Sequence, residues 1–178
     1  VVRQMIKDAP ELWERVCAHE DGRMVMLGTP NHGTHATVDA LLGTASTVRP
    51  GKNATILALA LMVPRALAAA EKLNSEHGID CEVIDVRSLV PLDTQTILGS
   101  VARTHRLFTV EENPRLCGWG AEIVSIVADE AFYDLDGPPV RITTPHIPLP
   151  AADILEDLAL PSVDRIVESA RKDFMSAL

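Results

Sequence analysis

The sequence predicts a three-layer α/β domain: a mostly parallel sheet with helices on both faces. Three observations predict it. Short, mostly apolar runs recur at Ala54–Leu61, Cys81–Ile84 and Leu107–Val110, as in strands covered on both faces. Stretches with apolar residues at helical spacing separate these runs. Turn and cap residues stand at the joints. Such alternation favours parallel strands joined by right-handed crossovers.

The elements follow in order. Ala54–Leu61 is the first strand. Pro64 comes where the first turn of a helix tolerates a missing N–H. Val63, Ala66, Leu67, Ala70 and Leu73 then mark one apolar helix face. His77-Gly78 ends that helix, because glycine readily takes the left-handed C-terminal conformation. Cys81–Ile84 is the second strand. Asp93 caps the next helix, Leu92 can staple against Ile97, and Val101 continues the face. Leu107–Val110 is the third strand. A helix over Gly118–Phe132 follows, with Val124, Val127, Ala128, Ala131 and Phe132 on one stripe. Val140–Thr143 is a short fourth strand. A proline-studded crossing, Pro145–Pro161, leads to the last helix. There Ser162 is the N-cap, Asp164 complements the positive helix end, and Val163, Ile166, Val167, Ala170 and Phe174 form the buried face.

Arg49-Pro50-Gly51-Lys52-Asn53 is the clearest breakpoint. It divides the chain into an N-terminal extension, residues 1–50, and the α/β domain, residues 51–178. In the extension, Glu11–Ala18 reads as a helix and Arg23–Leu27 as a short strand. Residues 24–35, MVMLGTPNHGTH, resemble the strand and loop after the nucleophile in some α/β-hydrolases and lipases. The G-x-S-x-G nucleophile elbow is absent.

The chain has 178 residues, enough for one compact core. Only 3 % of them are aromatic, so Ala, Val, Leu and Ile must build that core. The net charge of −9 argues against a nucleic-acid or anionic-membrane surface, which needs clustered Lys and Arg. It permits a basic protein partner. No apolar run is long enough to span a bilayer, and the N-terminus lacks a signal-peptide apolar region. Cys17, Cys81 and Cys117 are odd in number and widely spaced, which suits reduced thiols in a cytoplasmic protein.

The stretch LFTVEENPRLCGWGAE, Leu107–Glu122, carries most of the candidate chemistry. Gly118-Trp119-Gly120 opens a helix directly after a strand, as a dinucleotide-binding turn does. Ile123 stands where the third glycine of that motif belongs, and Glu111, Glu112 and Glu122 would repel phosphate. The preferred reading is a tight turn with close packing. Glu111 and Glu112 end a strand at the sheet edge where ligands sit. A paired-carboxylate acid/base role is conceivable, but solvated loop charges or subunit contacts are preferred. Neither glutamate has an obvious sequence-near partner to tune its pKa. Cys117 could be activated at the helix start; a packed thiol is preferred. His32 and His35 form H-x-x-H with His19 upstream, but they lie in a Gly/Thr/Pro-rich loop with no nearby Cys or carboxylate in a recognised spacing, so no metal site is expected there; His105 and His146 read as loop residues.

From Gly51 to about Ser176 the chain resembles the transketolase C-terminal domain of the β subunit of 2-oxo acid dehydrogenases, the pyruvate, branched-chain and acetoin type. ATILALALMVPRALAAAEKL, IDCEVIDVRSLVPLDTQTI, VARTHRLFTVEENPRLCGWGAEIVSIVADEAF and LPSVDRIVESA carry the likeness. The resemblance implies a five-stranded mixed sheet. It implies three partners: a second β subunit, an α subunit, and the subunit-binding domain of the lipoyl acyltransferase. In such enzymes thiamine diphosphate with Mg2+ performs the decarboxylation, but the motifs that hold both lie in other domains. The expectation is an assembly domain that binds neither and has no catalytic or metal-ligating residue. Partner contacts are expected at Glu111, Glu112, Arg115, Trp119 and Phe174. The alternatives are a stand-alone ligand-binding or regulatory α/β domain, and an inactive α/β-hydrolase fusion.

Overall fold

The computed structural model describes residues 43–176. The expected helix and strand at Glu11–Ala18 and Arg23–Leu27, the hydrolase-like loop, Cys17, His19, His32 and His35 lie outside the described residues.

The strands are β1 (Ser46–Arg49), β2 (Ala54–Ala58), β3 (Cys81–Asp85), β4 (Leu107–Pro114) and β5 (Val140–Thr144). The helices are α1 (Met62–His77), α2 (Thr94–Thr104), α3 (Trp119–Glu130), α4 (Asp153–Ala159) and α5 (Val163–Ser176). The five-stranded sheet runs in the order β1-β3-β2-β4-β5. β1 is antiparallel to β3, and the other neighbours are parallel. This is the mixed, mostly parallel sheet expected from the sequence.

Side-chain alternation along the strands splits the core into two layers. Ile56, Ala58, Phe108, Val110 and Ile142 face α1 and α5, where they join Ala66, Leu73, Ile166 and Ala170. Leu57, Ile84 and Leu107 face α2 and α3, where they meet Ile97, Val101, Ile123 and Val127. All of β2 is buried, which explains its unbroken apolar run.

Local signals place the helix ends. α1 closes on Gly78 at φ 69°, whose N–H reaches Asn74 O while the Ile79 N–H reaches Leu73 O. Asp93 caps α2 by accepting the Thr96 N–H at 3.0 Å. Ser162 caps α5 by accepting the Arg165 N–H at 3.2 Å.

Two elements were not expected. β1 precedes the Arg49–Asn53 breakpoint, so the sheet begins on the N-terminal side of the boundary drawn at residue 51. α4 sits inside the proline-studded crossing. The first strand is also shorter than its apolar run. It ends at Ala58, and Ala60 at φ 51° turns the chain into α1. Among the described residues, no helix is long and apolar enough to cross a membrane.

Candidate functional site: the carboxylate seat at the end of β4

Thr109, Glu111 and Asn113 alternate along β4 and so share one face of the sheet. That face looks toward the start of α3. Glu111 is 0 % exposed. Its Oε1 accepts Thr109 Oγ1 at 2.9 Å and Arg141 Nε at 2.8 Å. Its Oε2 accepts Asn113 Nδ2, the Gly120 N–H and Arg141 Nη2, each at 3.0 Å. Arg141 lies on β5 beside Thr109 in register, so adjacent parallel strands deliver the bidentate pair. Burial pushes the Glu111 carboxyl upward; hydrogen bonds from Arg141, Asn113, the Gly120 amide and Thr109 outweigh it and hold the group below the usual glutamate range.

The glycines make room for this carboxylate. A Cβ at Gly120 would lie 2.2 Å from Glu111 Oε1 and 2.6 Å from Thr109 Oγ1. A Cβ at Gly118 would lie 2.2 Å from Asn113 Nδ2 and 2.5 Å from both Arg141 Nη2 and Glu111 Oε2. Close packing is therefore the reason for Gly-Trp-Gly, and the close neighbours are side chains rather than backbone. The helix end does bind an anion, as helix N-termini favour, and that anion is the chain's own. An outside phosphate would have to displace Glu111 from five hydrogen bonds. The seat does not fit a diphosphate.

Two expectations need correction here. Glu111 is neither solvated nor at a surface, because Arg141 neutralises it and the fold encloses it. It also has sequence-near partners, Thr109 and Asn113. The carboxylate is held ionised with its lone pairs engaged, which suits a structural clamp and not a proton carrier. Glu112 differs: it is half-buried, and its Oε1 has no hydrogen-bond partner among the described residues. It stands in a bulge where β4 slips against β5 between Glu111 and Pro114. Its own carbonyl accepts the Thr144 hydroxyl.

The other sequence-selected residues are scattered. Arg115, Leu116 and Cys117 form an exposed tip, with Cys117 at φ 59°. Cys117 is thus not the packed thiol expected. Trp119 is half-buried against the α2–α3 layer. Phe174 packs on the other layer, under the Arg106 guanidinium at 4.6 Å. Arg106 also pairs with Asp173. Phe174 thus anchors α5, on the opposite side of the sheet from Trp119. His105 Nδ1 donates to the Asp134 carbonyl at 2.8 Å, and His146 is exposed.

Comparison with known proteins sets this geometry in context. Residues 43–166 match the family described as Transketolase, C-terminal domain. The pyruvate dehydrogenase E1 component subunit beta of Rickettsia felis is 46 % identical over 130 residues, which is 73 % of this chain and 40 % of that protein. The subunit beta of acetoin:2,6-dichlorophenolindophenol oxidoreductase of Bacillus subtilis is 46 % identical over 127 residues, 71 % of this chain and 36 % of that protein. A solved structure titled "Split gene transketolase, inactive beta4 tetramer" superposes with a TM-score of 0.65 at 26 % identity, covering 75 % of this chain and 43 % of that one. The chain therefore spans about 40 % of the length of the curated relatives it matches.

Proposed function

We propose a function from one premise: this chain belongs to the transketolase C-terminal domain family. Its task is assembly within the β subunit of a thiamine-diphosphate-dependent 2-oxo acid dehydrogenase. The chain does not turn over a 2-oxo acid by itself. The assembled enzyme carries out the oxidative decarboxylation and passes the acyl group to a lipoyl arm. Partners are a second β subunit, an α subunit and the basic subunit-binding domain of the lipoyl acyltransferase. The compartment is the cytoplasm, although a similar β subunit of Oryza sativa carries the word mitochondrial in its name.

The observation that carries this reading is the site just described. In a fold whose strand ends commonly hold ligands, the buried carboxylate and the amide of α3 are engaged with each other. What remains at this end of the sheet is surface, and it suits partner contact. Glu112, Arg115 and Trp119 belong to that surface. Glu111 shapes it from within, and Phe174 fixes α5 from the far side.

Turnover tests the reading. The full chain with thiamine diphosphate, Mg2+, pyruvate and 2,6-dichlorophenolindophenol is expected to give no dye reduction above the protein-free rate. Saturable reduction that scales with chain concentration would overturn it.

A further inference from the structure

The two faces of the sheet are held by different chemistry. Toward α1 and α5 the buried cluster has sixteen residues, none carrying a side-chain oxygen or nitrogen. Toward α2 and α3 the apolar cluster has nine. Polar side chains complete that layer. Of the eight buried polar or charged residues among those described, Thr55, Glu82, Ser100, Thr104, Thr109 and Glu111 lie on the α2–α3 face. Strand alternation sets this side: Thr55 is followed by Ile56, Glu82 by Val83, and Val110 separates Thr109 from Glu111. Ile56, Val83 and Val110 belong to the cluster on the opposite face.

These groups form two latches, each closed on a carboxylate. Glu111 under α3 is one. Glu82 under α2 is the other, and it is 5 % exposed. Its Oε1 accepts the Ser100 hydroxyl and, at 2.8 Å, Arg103 Nη2. Ser100 gives its only proton to Glu82, so it accepts from Thr55 at 2.5 Å. Thr55 in turn accepts from Thr104 at 2.6 Å. The hydroxyls of β2 and α2 therefore point one way, toward the charge on β3. Arg103, with its side chain 62 % exposed, closes this latch from outside. Arg141 from β5 closes the other. Two further charged groups stand near. The Arg49–Asp80 pair lies beside Cys81 at the start of β3, and Glu122 is exposed in the first turn of α3.

We propose that the α2–α3 layer is an acid-released unit: protonation of Glu82 and Glu111 lets both helices lift from the sheet together, while α1 and α5 stay packed on the other face. The inference stands apart from the function proposed above. A proton on Glu111 removes the charge that Arg141 meets and sets a new donor against the Asn113 and Gly120 donors. A proton on Glu82 does the same to Arg103 and Ser100. Buried polar groups that lose their partners are costly, and opening returns them to water. The apolar layer on the other face gains nothing from water. Regions of one fold open at different free energies for such reasons. α2 and α3 share one apolar cluster, so they open as one body. Hydrogen bonds hold the Glu111 carboxyl below its usual range, so its share of the latch is complete above the unfolded value near 4.5 and is lost as pH falls through the lower folded value. On the opposite face the enclosed Arg106–Asp173 pair sits near the end of α5, so acid frays that end and leaves α1 in place.

Hydrogen–deuterium exchange of the full chain, read by mass spectrometry and corrected for intrinsic exchange at each pH, tests this. Each proton taken up on opening multiplies the open population by up to about ten per pH unit. Between neutral pH and about pH 3.5, protection of α2 and α3 should fall at least about ten-fold further than that of α1 and residues 163–170. Glu82→Gln, at neutral pH, should lower the protection of α3 as well as that of α2. Equal loss in all four helices would mean global unfolding and overturn the proposal. So would no loss, or earlier loss in α1. Loss confined to α2 or to α3, in acid or in Glu82→Gln, would overturn the single unit. If Glu82→Gln fails to fold, the wild-type comparison across pH decides alone.

Discussion

Arg141→Met tests the clamp at the end of β4 most sharply. The substitution keeps the length of the arginine stem and removes the guanidinium. Glu111 would retain Thr109, Asn113 and the Gly120 amide but lose two charge-assisted hydrogen bonds, in a site from which water is excluded. Removing one partner of a buried ion pair costs about 3–5 kcal/mol, since the remaining charge stays enclosed without compensation. A domain of this size is stable by only about 5–15 kcal/mol. The melting temperature should therefore fall by roughly 10 °C or more. Urea denaturation at neutral pH, followed by circular dichroism, measures the loss directly. The double variant Glu111→Gln with Arg141→Met removes the stranded charge, so it should be less destabilised than the sum of the single changes. A loss under about 1 kcal/mol for Arg141→Met, the worth of an exposed pair, would refute the claim that this carboxylate is sealed.

Further outcomes follow from the same geometry. Gly120→Ala should destabilise the domain because its Cβ meets the Glu111 carboxylate, whereas Gly99→Ala, whose nearest neighbour is the end of Arg103 at 3.7 Å, should stabilise it by about 0.5–1 kcal/mol; paired thermal melts read both. The Glu111 carboxyl is depressed in the folded state, so its stabilisation is complete above the unfolded value near 4.5 and is lost as pH falls through the lower folded value. Acid titration of stability should therefore be steeper below pH 4.5 for the wild type than for Glu111→Gln. In a Cys17→Ser background, a maleimide should label the exposed Cys117 at once. It should reach Cys81 only on unfolding, because that thiol is buried and burial pushes it up to about 12.

The β2, β3 and β4 strands were legible because each is buried on both faces and so is written in apolar residues. The caps at Gly78, Asp93 and Ser162 were legible because each has a residue type with a local reason to be there. β1 was not, since Thr47 and Val48 are exposed on an antiparallel edge and carry no apolar pattern. α4 was hidden for a related cause: Ile154, Leu155 and Leu158 face outward, so no stripe points to a core. Half of the carboxylate seat could have been read. Thr109, Glu111 and Asn113 alternate at strand spacing, and polar residues on one face of an otherwise buried strand need partners. Arg141 could not, because it lies 30 positions away on β5 and only the sheet order brings it beside Glu111.

Binding of the acyltransferase's subunit-binding domain tests the central claim, that this chain assembles and does not catalyse. Calorimetric titration of the full chain should give saturable heat at low ionic strength and an affinity at least about ten-fold weaker at ~0.5 M salt, since charge complementarity between an acidic chain and a basic partner is screened. Absence of saturable heat at low salt would contradict the account.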